Sequence, residues 1–361
     1  MKNNNKIAIV SASLGLGGAE RFASLLGLML TNLGYEVHNI IILNEVNYQV
    51  YGKLYNLGEI CQNDNVVFRK IKKGILLKKY LTENKIEYVI DNRSRPTIIR
   101  EIFTQWVYNK LKVFYMVHIS KVQMYLSPSV FFSKIVYKNA VKIVCVSKSI
   151  EQLVNVKYQI KNTKTIYNPL VFQDFNAEKP NNLPEKYFIF FGRLEENQKN
   201  FTLLLESFQQ SQAIKQGYHL IIMGDGPSKD NLIAKIKKMF LIEYVQVLPF
   251  HEDVFPYVCH ARASLLTSRF EGFPMSIIES LAVGTPVISV DCETGPKEII
   301  QNNFNGLLVE NNNENALAEA MKKMIEDEKL YQTCKNNAQK SVEHLSLTTI
   351  AQQWKQLLSE K

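Results

Sequence analysis

Alternation is the feature that most limits what this chain can become. In both halves a short apolar run of strand length is followed by a stretch with helical spacing, and the pattern repeats. Residues 6–10 read as a strand. After a Gly-rich turn, Phe22, Leu25, Leu26, Met29 and Leu33 recur at helical spacing over residues 19–33, and Gly34 supplies the stop. Residues 37–43, 66–68, 88–90, 113–117 and 141–146 read as the remaining strands of the first half. In the second half, residues 187–191, 219–223, 245–248, 263–267 and 286–290 read the same way. Between them lie helices marked by Phe201, Leu204, Leu205 and Phe208, and later by Leu317, Met321, Met324 and Ile325. Such alternation predicts parallel sheets with helices on both faces. A length of 361 residues fits about two domains. The break belongs in residues 167–184, which hold Pro169, Pro180 and Pro184 and little periodicity. The fold expected is α/β, with two Rossmann-like, doubly wound domains facing across a cleft. Residues 1–168 form the first and 169–346 the second, and ligands bind beyond the carboxyl ends of the strands.

Composition excludes several classes. A chain that is 46% hydrophobic and 21% charged is that of a soluble globular protein, not a disordered or collagen-like one. Cys61, Cys145, Cys259, Cys292 and Cys334 are scattered, odd in number and without a Cys-x-x-Cys pair. That pattern fits neither a disulfide framework nor a zinc site, and points to a reducing, cytoplasmic setting. The opening residues lack the apolar core and cleavage site of a signal peptide. No apolar run approaches the ~18 residues that span a bilayer. The net charge of +9 is uneven: residues 1–180 hold 25 Lys+Arg against 12 Asp+Glu, a net +13, and residues 181–361 hold 18 against 22, a net −4. A basic half can face phosphates, anionic lipid or nucleic acid, or be no more than a solvated surface. Within the lysine-rich residues 70–79, Lys72, Lys73, Lys78 and Lys79 do not fall on one helical stripe, which reads as a solvated helix more than as a clean amphipathic anchor.

Four motifs follow strand ends. The densest begins Ser268-Arg269-Phe270-Glu271-Gly272-Phe273-Pro274-Met275 and runs on to Glu279. Pro274 sits where a helix starts, and the free N–H groups over residues 273–276 suit an anion. Glu271 on the loop and Glu279 inside the helix are placed to accept hydrogen bonds from hydroxyls, or else to sit on the surface and favour the helix dipole. Phe191-Gly192-Arg193-Leu194, with Lys199-Asn200 close behind, brings two cations to another strand end, where they can neutralise a diphosphate. Gly224-Asp225-Gly226-Pro227 is either part of a nucleotide pocket or only a turn. Gly15-Leu16-Gly17-Gly18-Ala19-Glu20 lets backbone approach a phosphate or sugar, yet it is neither a Gly-x-Gly-x-x-Gly fingerprint nor a P-loop. His118 and Asp91 also follow strands and could reach into the crevice.

Taken in this order, the motifs resemble the retaining GT-B glycosyltransferases of the family 4 type (glycosyl transferases group 1). The matching pieces are Gly-Gly-Ala-Glu at 17–20, Phe-Gly-Arg-Leu at 191–194 with Lys199-Asn200, and Gly-Asp-Gly-Pro at 224–227. They continue with Glu271-x7-Glu279, Gly-Thr-Pro-Val-Ile at 284–288, Gly-Pro-Lys-Glu-Ile-Ile at 295–300 and Asn-Gly-Leu-Leu-Val at 305–309. The resemblance spans nearly the whole chain and is densest over residues 186–310. It implies a nucleotide-sugar donor, most often a UDP-sugar, held mainly by the second domain. Arg193 and Lys199 would bind the diphosphate, Glu271 the donor sugar near its reacting face, and Glu279 the ribose hydroxyls. The backbone of Gly272, Phe273, Pro274 and Met275 would meet sugar or phosphate, with Gly224 and Gly226 shaping the nucleotide pocket. From the first domain, His118 would stand near the donor sugar, and the Gly15–Gly18 loop, with Gly17 and Gly18, would close over the diphosphate and acceptor. A last helix within residues 347–361 would pack back on the first domain.

Breaking a sugar–phosphate bond leaves positive charge on the ring and negative charge on the departing diphosphate, and fixed cations with a helix start stabilise the latter. No Asp-x-Asp occurs, so neither metal nor cofactor is needed to explain leaving-group neutralisation. The expected role is sugar transfer to a glycan or lipid-linked glycan in cell-surface polysaccharide synthesis, at the cytoplasmic membrane face and with peripheral contact through the basic half. Competing readings are a GT-B enzyme with a soluble acceptor, and a non-catalytic sugar-nucleotide or nucleic-acid binder. No aromatic–basic motif supports nucleic acid.

Overall fold

The computed structural model describes residues 5–15, 17–172, 178–181 and 183–360. It divides into two compact units. Unit one comprises Met1–Pro169 and Leu347–Lys361, and unit two Leu170–Ser346. The break thus falls one residue after the expected one.

Unit one is built on a seven-stranded sheet: β1 (Lys6–Ser11), β2 (Glu36–Ile41), β3 (Lys53–Asn56), β4 (Tyr88–Asp91), β5 (Lys112–Val117), β6 (Lys142–Cys145) and β7 (Thr163–Thr165). Its order is β3-β2-β1-β4-β5-β6-β7. Every pair is parallel, as in β1 on β4, where Ile7 faces Tyr88 and Val10 faces Asp91. Unit two has a six-stranded parallel sheet: β8 (Lys186–Phe191), β9 (Tyr218–Met223), β10 (Val245–Leu248), β11 (Ser264–Leu266), β12 (Val287–Asp291) and β13 (Gly306–Glu310). The order here is β10-β9-β8-β11-β12-β13. The strand order of each sheet reverses once, between β1 and β4 and between β8 and β11. That reversal opens a crevice at the strand ends, where ligands bind in doubly wound folds.

The strands read as continuous apolar runs because both faces are covered. Along β8, Phe188 and Phe190 enter one core cluster while Tyr187, Ile189 and Phe191 enter another. The last helix, Leu347–Ser359, belongs to unit one. Its Trp354 is fully buried with its ring 6.3 Å from Phe114 of β5.

One expected strand is absent, and three strands stand outside the expected set. Residues 66–68 are not a strand; they open the helix Val66–Glu83. A short Val-Val-Phe run has no periodicity of its own, and the helical spacing that follows absorbs it. The strand that pairs with β2 is Lys53–Asn56, an exposed edge strand whose Lys-Leu-Tyr-Asn sequence carries little apolar signal. β7, another edge strand, and β13 also lie outside the expected set.

Candidate active site

In unit two the loops leaving β8 and β11 flank the reversal point, and they carry Arg193 and Glu271. The Arg193 loop is braced from the neighbouring strand end. Gly192 N donates to Met223 O at 3.0 Å and Leu194 N to Asp225 O at 2.8 Å. A Cβ on Gly224 would stand 1.9 Å from Gly192 O, and one on Gly226 would stand 2.4 Å from Leu194 O. The Gly-Asp-Gly-Pro turn is glycine-bearing because its backbone must press against the loop that presents Arg193. Arg193 itself is exposed.

Lys199 ends a short helix, Glu196–Lys199, that precedes the expected helix Phe201–Gln210. Asn200 separates them in the left-handed conformation (φ 56°), and its Oδ1 accepts from Leu203 N at 3.4 Å. The β11 end holds this turn from the other side. Thr267 Oγ1 donates to Lys199 O at 2.7 Å, Arg269 N to Gln198 O at 2.8 Å, and Arg269 Nη2 to Asn200 Oδ1 at 2.7 Å. Lys199 Nζ then lies 2.6 Å from Glu271 Oε1, with side chains 13% and 7% exposed. The structure therefore joins two of the expected site residues directly, in a nearly dry, charge-assisted bond.

Glu271 is fixed through its backbone as well. Thr294 Oγ1 donates to Glu271 O at 2.5 Å. A Cβ on Gly295 (φ 96°) would stand 2.7 Å from Gly272 O, so the chain after β12 packs against the Glu271 loop only because Gly295 has none. Pro274 then leads into the helix Met275–Ala282 as its N-cap, and no side chain caps that start. Its first-turn N–H groups are donors of the kind that receive anions. Phe273, Met275 and Glu279 are buried.

In unit one, Gly17 caps the helix Gly18–Asn32, and its carbonyl accepts from Arg21 N at 2.9 Å. Leu16 of this motif lies outside the described residues. His118 follows β5, is buried, and packs edge-on to Phe22 with ring centroids 5.1 Å apart. Its Nε2 is bonded to Asn92 Oδ1. Asn92 Nδ2 donates to Ala19 O at 2.9 Å. A carbonyl only accepts, so that contact orients the amide and leaves Oδ1 to receive the Nε2 proton of a neutral His118. Burial, then the Arg95 charge, pushes the imidazole down to about 3. Asn92 was not anticipated. Its only trace in the sequence is its position immediately after β4, at the reversal point of the first sheet.

Asp91 does not reach into a crevice. It is fully buried, with carboxylate oxygens 2.9 Å from Arg93 Nε and 2.7 Å from Arg93 Nη2, and Tyr108 Oη 3.1 Å away. Burial alone would raise its pKa, but the Arg93 and Arg95 charges outweigh it and hold the carboxyl at about 2. Its work is to order the residues after β4.

Two parallel doubly wound sheets, with a buried Lys–Glu pair at the switch in strand order of the second, agree with the glycosyltransferase class that the motifs resemble. Comparison with known proteins places it further. Residues 171–341 match the model of the family glycosyl transferases group 1. Over 349 residues the chain is 30% identical to the N-acetylgalactosamine-N,N'-diacetylbacillosaminyl-diphospho-undecaprenol 4-alpha-N-acetylgalactosaminyltransferase of Campylobacter jejuni, covering 92% of this chain and 93% of that protein. The chain belongs to the glycosyl transferases group 1 and is a glycosyltransferase. Its fold matches S. aureus TarM, solved with UDP, at TM-score 0.78 and 14% identity over 98% of this chain and 100% of that one. It also matches HepE of Anabaena, solved with UDP, at TM-score 0.75 and 18% identity over 98% and 99%.

Proposed function

We propose that this enzyme transfers a sugar, with retention of anomeric configuration, from a UDP-sugar to a glycan or lipid-linked glycan during cell-surface polysaccharide assembly. The observation that carries the donor reading is the buried Lys199–Glu271 pair beside an uncapped helix start, both at the reversal point of unit two. UDP bound in the TarM and HepE structures supports the base, and the diphospho-undecaprenol acted on by the Campylobacter relative supports the acceptor.

The chemistry follows from those residues. Lys199 and Arg193 meet the diphosphate as its charge grows on leaving, Lys as a point charge and Arg as a fork. The peptide dipoles at Met275 and Ser276 add to them without reorganising. Glu271, held by Lys199 and Thr294, stands by the donor sugar, and Glu279 receives the ribose hydroxyls. His118, in unit one, is neutral because it is buried, and so offers hydrogen bonds rather than a charge. Metal-free turnover follows if these groups suffice, and EDTA then leaves the rate unchanged. The acceptor reading includes peripheral contact with the cytoplasmic membrane face.

Sugar transfer from a panel of UDP-sugars tests the assignment. Glu271→Gln and Arg193→Ala are expected to lower kcat/KM by roughly a hundredfold each. Unimpaired transfer by both variants would overturn the residue roles. NMR of the product settles the anomeric outcome, and an inverted product would remove the retaining part.

A further inference from the structure

We propose that the outer faces of three consecutive helices in unit one, Val66–Glu83, Ile98–Val107 and Val130–Val136, form a docking surface for an anionic lipid bilayer. This deepens the reading of a membrane-borne acceptor and rests on it.

The first helix has two apolar faces. Gly74, Leu77 and Leu81 are buried inside, while Phe68, Ile71 and Ile75 are exposed. Their spacing of three and four residues puts them in one outward stripe. Lys72 and Lys79 are exposed beside it. Lys73 is turned inward, its ammonium bonded to Ile42 O, so it does not belong to this face. The lysines do not make a stripe themselves; they edge an apolar one.

The second helix repeats the arrangement. Ile99 is 83% exposed, and Ile102 and Trp106 follow at the same spacing. The two helices press close at Gly74, where a Cβ would stand 2.0 Å from the Phe103 ring. On the outer side, Lys78 Nζ lies 3.8 Å from the centre of the Trp106 ring, so the two stripes are neighbours. The third helix packs on the second and exposes Phe131, at 77%, and Ile135.

Charge selects the occupant. Residues 66–138 hold 15 Lys+Arg against 4 Asp+Glu, a net +11. Asp91, Arg93, Arg95 and Glu101 are buried and offset one another, so the excess belongs to the remaining, mostly surface residues. Large apolar side chains ringed by cations match an anionic leaflet, into which the apolar groups sink while the lysines meet the headgroups. A second copy of this chain would bring the same positive charge against it and be repelled. Among the described residues no helix is long and apolar enough to cross a membrane, so the contact is interfacial.

The chain reports on this itself. Of its two tryptophans, Trp354 is fully buried and Trp106 half-exposed, so a blue shift of emission on adding vesicles comes from Trp106. The full chain is floated with vesicles of equal parts phosphatidylglycerol and phosphatidylcholine, and with phosphatidylcholine alone. Binding is expected only to the first, with a blue shift, and it weakens as salt rises. Ile99→Glu with Ile102→Glu, at exposed positions that folding tolerates, should weaken binding at least ~10-fold. Lys72→Glu with Lys79→Glu should weaken it by about fivefold or more per charge. No binding, binding unchanged in the Ile99/Ile102 variant, or a lipid-free dimer dissolved by those substitutions would each overturn the proposal. Transfer to a detergent-dispersed lipid-linked acceptor is measured alongside. Vesicle binding without such transfer removes the acceptor reading and leaves the surface standing, and transfer without vesicle binding does the reverse.

Discussion

Asn92 shows how one small side chain can set the state of another. Its Nδ2 is committed to Ala19 O, so its Oδ1 decides which nitrogen of His118 carries the proton. Asn92→Leu removes that decision. Nitrogen-15 NMR of the histidines should show the Nε2–H tautomer of His118 lost, with turnover falling at least ~10-fold; an unchanged tautomer would contradict the assignment. The burial of His118 also has a pH consequence. Its folded pKa, about 3, lies below the ~6.5 of an unfolded histidine, so the unfolded state binds the extra proton between those values. Stability is therefore full above about pH 6.5 and falls as pH drops toward 3. Asp91, at about 2, acts in a lower window: its contribution is present above its unfolded pKa and lost as pH falls through 2. Urea unfolding at pH 7.5 and 5.0 should show the first loss, and His118→Asn should reduce it. Glu271 and Lys199 stand out in the sequence because each lies in a motif after a strand, and the structure pairs them. Asn92 does not, because an asparagine after a strand has no pattern that separates it from a turn former.

At the level of elements, strands and loops are fitted to one another through missing Cβ atoms. Gly226→Ala would force its methyl against Leu194 O and displace the loop that presents Arg193. A loss of roughly 1–3 kcal/mol in stability is expected by urea titration, together with a raised KM for the donor. Gly34→Ala, at a glycine whose Cβ meets nothing within 4 Å though its φ is 86°, is the control for backbone strain alone; equal effects on KM at both sites would argue against a brace. The buried strands β1, β4, β5 and β8 are legible in the sequence because covered strands are continuous apolar runs. β3 and β7 are not, being edge strands with little apolar content, and β13 shows only as a motif. Residues 66–68 mislead because three apolar residues carry no period. The apolar stripe of the Val66–Glu83 helix escaped for a related reason: plotting lysines alone asks about charge, while the outward face is set by Phe68, Ile71 and Ile75.

For the whole molecule, alternation was enough to foresee two doubly wound sheets, because parallel strands need a crossover between every pair. The return of the last helix to unit one is a tertiary fact, carried by Trp354 against Phe114. Trp354→Ala should cost about 3–5 kcal/mol, expressed in the unfolding of unit one and not of unit two. Calorimetry that showed a single unit-two loss would contradict the packing. What would join the proposed function to the fold is a donor site in unit two, where fixed cations and peptide dipoles are proposed to meet a nucleoside diphosphate. Calorimetric titration of UDP into the full chain in the presence of EDTA puts this to the test. Saturable binding is expected, weakened by about 10- to 100-fold in Lys199→Ala and in Arg193→Ala. Binding that disappears with EDTA and returns with magnesium or manganese, or that neither substitution weakens, would show that the diphosphate is held by something else.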